Sequence, residues 1–210
     1  MEPPTVLTDP ADPRFDDYRN LRGAQRRGNA ATNDAVIAEG RIAVERLLSS
    51  RYRVRSVLTV SSRPAAMPTL RHELPAFATT PAVLAEVCGF DFHRGVLAAA
   101  DRITAATPDE VLTATRVAVL EGISDAENLG AIFRTATALG VGGLLLDERC
   151  IDPLYRRVVR VSMGWSLHVP WAWLPPLPHG LATLRASGHR VVALTPLHTA
   201  VAVDDAGHFG

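Results

Sequence analysis

Hydrophobic positions along the chain fall into short runs broken by small and polar residues, and the clearest alternation lies near the middle. Val117-Ala-Val-Leu120 is a compact apolar, β-branched run of the kind that makes a buried strand. Gly122, Ser124 and Asp125 interrupt it. Asn128 suits a helix N-cap, and Leu129, Ile132, Phe133, Ala136 and Leu139 then recur at the spacing of one helical face. Gly140 ends that helix, and Leu144-Leu-Leu146 opens a second strand. Strand, helix, strand in this register predicts a βαβ unit in a parallel sheet.

The pattern continues to the carboxyl side. Tyr155 to Arg160 reads as a helix, His168 to Trp171 as a short strand, Leu181 to Ala186 as a helix ended by Gly188, and Val191 to Thr195 as a further strand. Right-handed crossovers would place these strands in one parallel sheet. Upstream, Ala38-Glu-Gly40 leads into a helix with Ile42, Val44, Leu47 and Leu48 turned inward. Val54 to Val60 and Ala76 to Thr79 read as strands. Pro81 opens a helix that Gly89 stops, and Val96 to Ala100 is another strand. These elements predict a compact α/β sandwich over residues 14–103. Thr107-Pro-Asp-Glu110 has the form of a capping box, so a linker falls at about 101–108 and a second domain spans 108–210. Residues 1–13, rich in Pro and Asp, are expected to be a disordered tail.

Composition narrows the class. At 210 residues with 47% hydrophobic and 21% charged positions, the chain suits one large or two small globular domains. No apolar run approaches the ~18 residues of a membrane span, and the amino terminus lacks the form of a signal peptide. Cys88 and Cys150 stand far apart with no metal-ligand spacing, so both are expected to be reduced, buried thiols in a cytoplasmic protein. Formal net charge is zero, yet every basic residue is Arg and none is Lys. Each cation can therefore form bidentate contacts with phosphate and stack on bases.

Several residues are candidates for chemistry, each with a plainer alternative. Asn128 lies where open α/β sheets place ligands, although it could simply cap its helix. Arg134 lies near the apolar helical face, although it could be an ordinary ion-paired surface residue. Arg156, Arg157 and Arg160, with Ser162 and Gly164 beyond them, form either a solvated helix face or a phosphate-contacting patch. Arg26 and Arg27 close an Arg-rich, amphipathic stretch (Phe15, Tyr18 and Leu21 its apolar members) that is either a solvated face or an RNA-contacting arm. His93 and Arg94 read as a loop turn fixed by Gly95, lacking a nucleophile or metal partner. A nucleotide-dependent oxidoreductase fits poorly, since neither a Gly-x-Gly-x-x-Gly nor a Gly-Lys-Ser/Thr phosphate loop follows any strand.

The order Asn128-Leu-Gly-Ala-Ile-Phe-Arg134-Thr-Ala136 is more specific than its parts. It resembles the first motif of the SpoU, or TrmH-like, branch of the SPOUT RNA methyltransferases. The resemblance extends through Asp152 to Gly164 and Val169-Pro170, and back to Ala38-Glu-Gly40 and Phe92-His-Arg-Gly95. It implies an α/β protein: a small amino-terminal substrate-binding domain similar to the ribosomal protein L30e and L7Ae fold, then a SPOUT-type parallel-sheet domain. It further implies methyl transfer from S-adenosyl-L-methionine to a ribose 2′-hydroxyl of rRNA or tRNA, usually by a homodimer. On motif match, Arg134 engages the hydroxyl and Asn128 supports it. Two later family motifs, a strand with a Gly-Glu-Gly-like loop and an Asn- and Ser-rich loop, are missing before Gly210. They supply the trefoil knot and most of the cofactor pocket, so this chain is expected to bind the donor poorly. The alternative is a catalytically inactive RNA-binding or dimerising module of the same family.

Overall fold

The computed structural model describes residues 3–21, 35–62, 68–70 and 73–195. In chain order the elements are β1 (Thr5–Val6), a 3₁₀ helix (Pro13–Tyr18), β2 (Ala35–Glu39), α1 (Arg41–Leu48), β3 (Val54–Val60), β4 (Ala76–Thr79), α2 (Pro81–Cys88) and β5 (Val96–Asp101). Then follow α3 (Pro108–Val111), β6 (Val117–Leu120), α4 (Ala126–Ala138), β7 (Gly143–Leu146), α5 (Arg156–Val161), a 3₁₀ turn (Trp165–Leu167), β8 (Trp171–Trp173) and α6 (Leu181–Ala186).

The first five strands form a mixed sheet in the order β1-β4-β3-β5-β2. β1, β4 and β3 run parallel, while β5 is antiparallel to both β3 and β2. The Ala-rich centre of β5 is buried on both faces, which small side chains permit without crowding. The last three strands form a wholly parallel sheet, β6-β7-β8, as the βαβ pattern predicts.

Residues 3–13 are not a disordered tail. Thr5 and Val6 pair with Phe77 and Ala78, and Leu7 is buried with its carbonyl accepting the Thr79 hydroxyl at 2.7 Å. One apolar residue among prolines and aspartates anchors the segment because an open sheet edge lies beside it. The 3₁₀ helix follows, with Phe15 and Tyr18 buried and the Tyr18 hydroxyl bonded to Ser56.

Four further expectations need correction. β6 is an edge strand among the described residues and only half buried along its length, rather than buried. The last strand of the parallel sheet is Trp171–Trp173, because a 3₁₀ turn occupies the residues up to Leu167 and His168 caps it. Val191–Thr195 forms no strand, and Leu194 is 84% exposed. An apolar run becomes a strand only where a sheet edge receives it. Ile42 and Leu139 face solvent instead of the core.

The two sheets share one apolar core. β2, α1 and β5 contribute Val36, Val44 and Ala98 to the same cluster that holds Leu129 and Phe133 of α4, Leu144 of β7 and Val158 of α5. Two smaller clusters lie on the outer sides, one around Phe15, Leu58 and Leu84, the other around Leu112, Leu145 and Ala172. Polar contacts reinforce the junction. Arg46 of α1 lies over the Trp165 ring at 4.1 Å and donates to the Met163 carbonyl, while Arg102 pairs with buried Asp152. Gly164 is required there twice over: its φ is +85°, and a Cβ would sit 3.0 Å from Cβ of Arg46 and 3.2 Å from Cα of Ala43.

Candidate functional site

The motif residues ride on α4, which begins at the carboxyl end of β6. Its N-cap is Asp125, not Asn128: the Asp125 carboxylate accepts the Asn128 N–H at 2.8 Å. Either residue type can cap, and the loop length brings Asp125 to the position where its oxygen reaches the third helical N–H. Asn128 is thereby released from capping, and its side chain is exposed in the first turn. Arg134 is exposed too, and no described carboxylate pairs with it. Six residues separate the two, about 9 Å along the helix and roughly 120° apart around it. They share an element without sharing a face.

α4 is fixed from two sides. Gly130 lies against α5, where a Cβ would stand 2.6 Å from Cβ of Val161 and 3.0 Å from the Ser162 nitrogen. The glycine of the motif therefore permits close helix packing. The loop before α4 is held by Asp147, a buried residue just after β7. Its carboxylate accepts the Gly122 N–H at 2.9 Å, the Arg149 Nε at 2.8 Å and the Cys150 thiol at 3.2 Å. Burial pushes the Asp147 carboxyl up, but these hydrogen bonds outweigh it and hold the group below the usual carboxylate range. Arg149 also reaches Glu121 at 2.7 Å, and the Cys150 sulfur accepts the Ile123 N–H at 3.3 Å. Sequence reasoning passed over Asp147, although an Asp directly after a buried Leu-Leu-Leu strand is the available signal.

The arginine patch expected on α5 does not form one surface. Arg156 is largely buried; its guanidinium pairs with buried Glu39 at 2.5 Å and lies 4.8 Å from the Phe90 ring centroid. Arg160 turns to the same carboxylate at 3.8 Å. Ser162 is fully buried, with its hydroxyl donating to the Val159 carbonyl at 3.0 Å and lying 3.3 Å from the Ser166 hydroxyl. Phosphate cannot reach Ser162 in this arrangement, and Arg156 already has a counter-ion. Arg157 alone of the four faces solvent beside the motif, pairing with Glu127 in the first turn of α4 at 2.6 Å. Arg26 and Arg27 lie outside the described residues. Arg94 is no simple loop residue, since its Nε stands 3.3 Å from Glu39. Cys88 and Cys150 are free and buried, as expected. Among the described residues no group of three His, Cys, Asp or Glu could hold a metal, and no helix is long and apolar enough to cross a membrane.

Comparison with known proteins agrees with the motif. The sequence profile of the SpoU rRNA Methylase family matches residues 115–207. An uncharacterised tRNA/rRNA methyltransferase of Mycobacterium tuberculosis is 44% identical over 197 residues, spanning 90% of this chain and 67% of that protein. Among solved structures, an AdoMet-bound rRNA methyltransferase of Sinorhizobium meliloti superposes with a TM-score of 0.65 at 20% identity, covering 87% of this chain and 69% of that one. The SpoU methyltransferase AviRb of Streptomyces viridochromogenes gives a TM-score of 0.64 at 21% identity, over 84% of this chain and 67% of its own. With 44% identity over nine-tenths of this chain and two-thirds of the relative, a profile match over the motif and a shared fold, the chain belongs to the SpoU, or TrmH-like, family of RNA methyltransferases.

Proposed function

We propose that the chain methylates the ribose 2′-hydroxyl of rRNA or tRNA, with S-adenosyl-L-methionine as methyl donor and a homodimer as the working form. The observation that carries this reading is the exposure of Asn128 and Arg134 on α4, in the order of the family's first motif, with Arg134 unengaged by any described carboxylate. The donor supplies an electrophilic methyl group. Arg134 is not the acceptor of the hydroxyl proton, because a guanidinium carries only donors and no acceptor. Its planar fork instead suits simultaneous bonds to a ribose oxygen and a neighbouring phosphate oxygen, fixing the nucleophile for in-line attack. An RNA phosphate oxygen is the acceptor for the departing proton. Asn128 contributes a further donor and acceptor towards the RNA, and Arg157 a cation beside it. Arg26 and Arg27 would extend the phosphate contacts.

The groups at the carboxyl ends of β6 and β7 do not fit the donor as a cradle. Asp147, Arg149, Glu121 and the Gly122 N–H satisfy one another there.

The test begins with calorimetric titration of the folded chain with S-adenosyl-L-methionine, followed by transfer of radiolabelled methyl to rRNA and tRNA. Ribose methylation is read as alkali-resistant dinucleotides. Arg134→Ala should slow transfer at least about a hundredfold while leaving the melting temperature within about 1 °C, as befits an exposed residue. Label on a base instead of the ribose would overturn the 2′-O assignment. Saturable RNA binding by a chain that neither binds the donor nor transfers methyl would favour the non-catalytic module.

A further inference from the structure

Glu39 ends β2 at a position where sequence reading found only the start of a helix. It is 5% exposed, and three guanidinium groups converge on it from separate parts of the chain. Arg94 comes from the loop before β5. Arg156 and Arg160 come from α5, on the far side of the junction, and lie one helical turn apart, so both reach one carboxylate. Arg156 is held in addition by the Phe90 ring and by the Leu21 carbonyl at 3.4 Å, both in the first sheet's layer. The Glu39–Arg156 contact is a fixed point, because parting the two would leave a largely buried guanidinium without its counter-ion in a low dielectric. α5 in turn touches α4 where Gly130 lets the helices meet, two residues after Asn128 and four before Arg134.

We infer that Glu39 is a positioning residue: through Arg156 and Arg160 it sets where α5, and hence the Asn128–Arg134 helix, stands relative to the first α/β layer. That layer is where the resemblance locates RNA recognition, so the purpose of the device rests on the methyltransferase reading, although its existence does not. RNA held on the first layer would present its ribose to Arg134 only while this angle is kept. The same geometry explains why these arginines are absent from the surface as a phosphate patch.

Glu39→Gln removes the charge at nearly constant volume, and Glu39→Asp keeps the charge one methylene short. Arg185→Gln alters an exposed side chain on α6, away from Glu39 and the α4–α5 contact. Hydrogen exchange of the full chain, without RNA or donor, reads the device directly. In Glu39→Gln, amides of α5 and of the Asn128–Arg134 segment should exchange at least tenfold faster, with the centres of β3 and β5 unchanged. Glu39→Asp should lie between that variant and the wild type, and Arg185→Gln should match the wild type. Faster exchange confined to β2, α1 and the Arg94 loop would overturn the inference, as would a uniform rise across the chain, which marks mere loss of stability. If Glu39→Gln fails to fold, the Glu39→Asp pattern decides alone. In transfer assays, Glu39→Gln should lower kcat tenfold or more while RNA affinity stays within threefold. A wild-type chain that transfers no methyl would count against the proposed function, and the exchange pattern would still decide the role of Glu39.

Discussion

Replacing Gly130 by alanine sets two effects of known sign against each other. In a helix interior, Gly→Ala favours folding by about 1 kcal/mol, because glycine sacrifices more backbone freedom. Against this, the new Cβ would stand 2.6 Å from Cβ of Val161, 2.9 Å from its Cγ1 and 3.0 Å from the Ser162 nitrogen. Carbon atoms settle at about 3.5–4.0 Å, so α4 and α5 must separate by about 1 Å. Neither obstructing group is the tip of a flexible side chain, so the strain cannot be relieved by a rotamer change. With a Cβ and a backbone nitrogen in the way, the cost falls at the upper end of the usual range for overpacking, about 2–3 kcal/mol, leaving a net loss of about 1–2 kcal/mol. For a chain of this length that lowers the melting temperature by about 2–8 °C. Calorimetric melting or urea denaturation of Gly130→Ala, beside Thr135→Ala on the exposed side of the same helix, measures it. Thr135→Ala should leave stability unchanged or slightly raised. A Gly130→Ala protein as stable as Thr135→Ala would show that the helices do not meet at this point, and the packing argument for the motif glycine would fail.

Acid should weaken the fold partly through Asp147. Its carboxyl sits below the ordinary value in the folded state, so its contribution is present above about pH 4 and fades as pH falls through the folded value. Asp147→Asn should therefore flatten the fall in urea midpoint on acidification; it should not abolish it, because Arg14 holds Asp12 down to about 2. An unchanged slope would sink the assignment. Burial pushes the Cys88 thiol up to about 12 and the Cys150 thiol up to about 11. At pH 8 only about a thousandth of Cys150 is thiolate, so a disulfide reagent should label the native protein at the rate of unfolding. Stoichiometric labelling within seconds would contradict the burial.

Elements with a clean local signature were legible in the sequence. β3, β4 and α2 occupy the expected residues, because alternation, a Pro at the first helical position and a terminal Gly each act over a few residues. The capping box at Thr107 is likewise present in both directions. What escaped detection depends on distant partners. β1 is two residues long and exists only through β4, some 70 positions away. β2 hides behind its buried Glu39, a residue that reads as polar until α5 arrives with its arginines. The fate of Arg156 was decided by a contact spanning 117 residues, whereas its local spacing suggested a surface patch. Val191–Thr195 shows the reverse failure, an apolar run with strand propensity that forms no strand. For the motif, residue order revealed the family, but not which of Asp125 and Asn128 caps the helix.

The apolar cluster shared by the two sheets bears on how the molecule comes apart. A chain with a linker between two units invites the expectation of two melting steps, and of fragments that survive when the link is cut. Here α1, β2 and β5 close the same core as α4, α5 and β7. Neither half can open without exposing apolar surface of the other, so the described residues should lose structure in one all-or-none transition. A protease cut near residue 104 would break the covalent chain while leaving the halves associated. The boundary legible in the sequence is one of chain direction, and cooperativity runs straight across it.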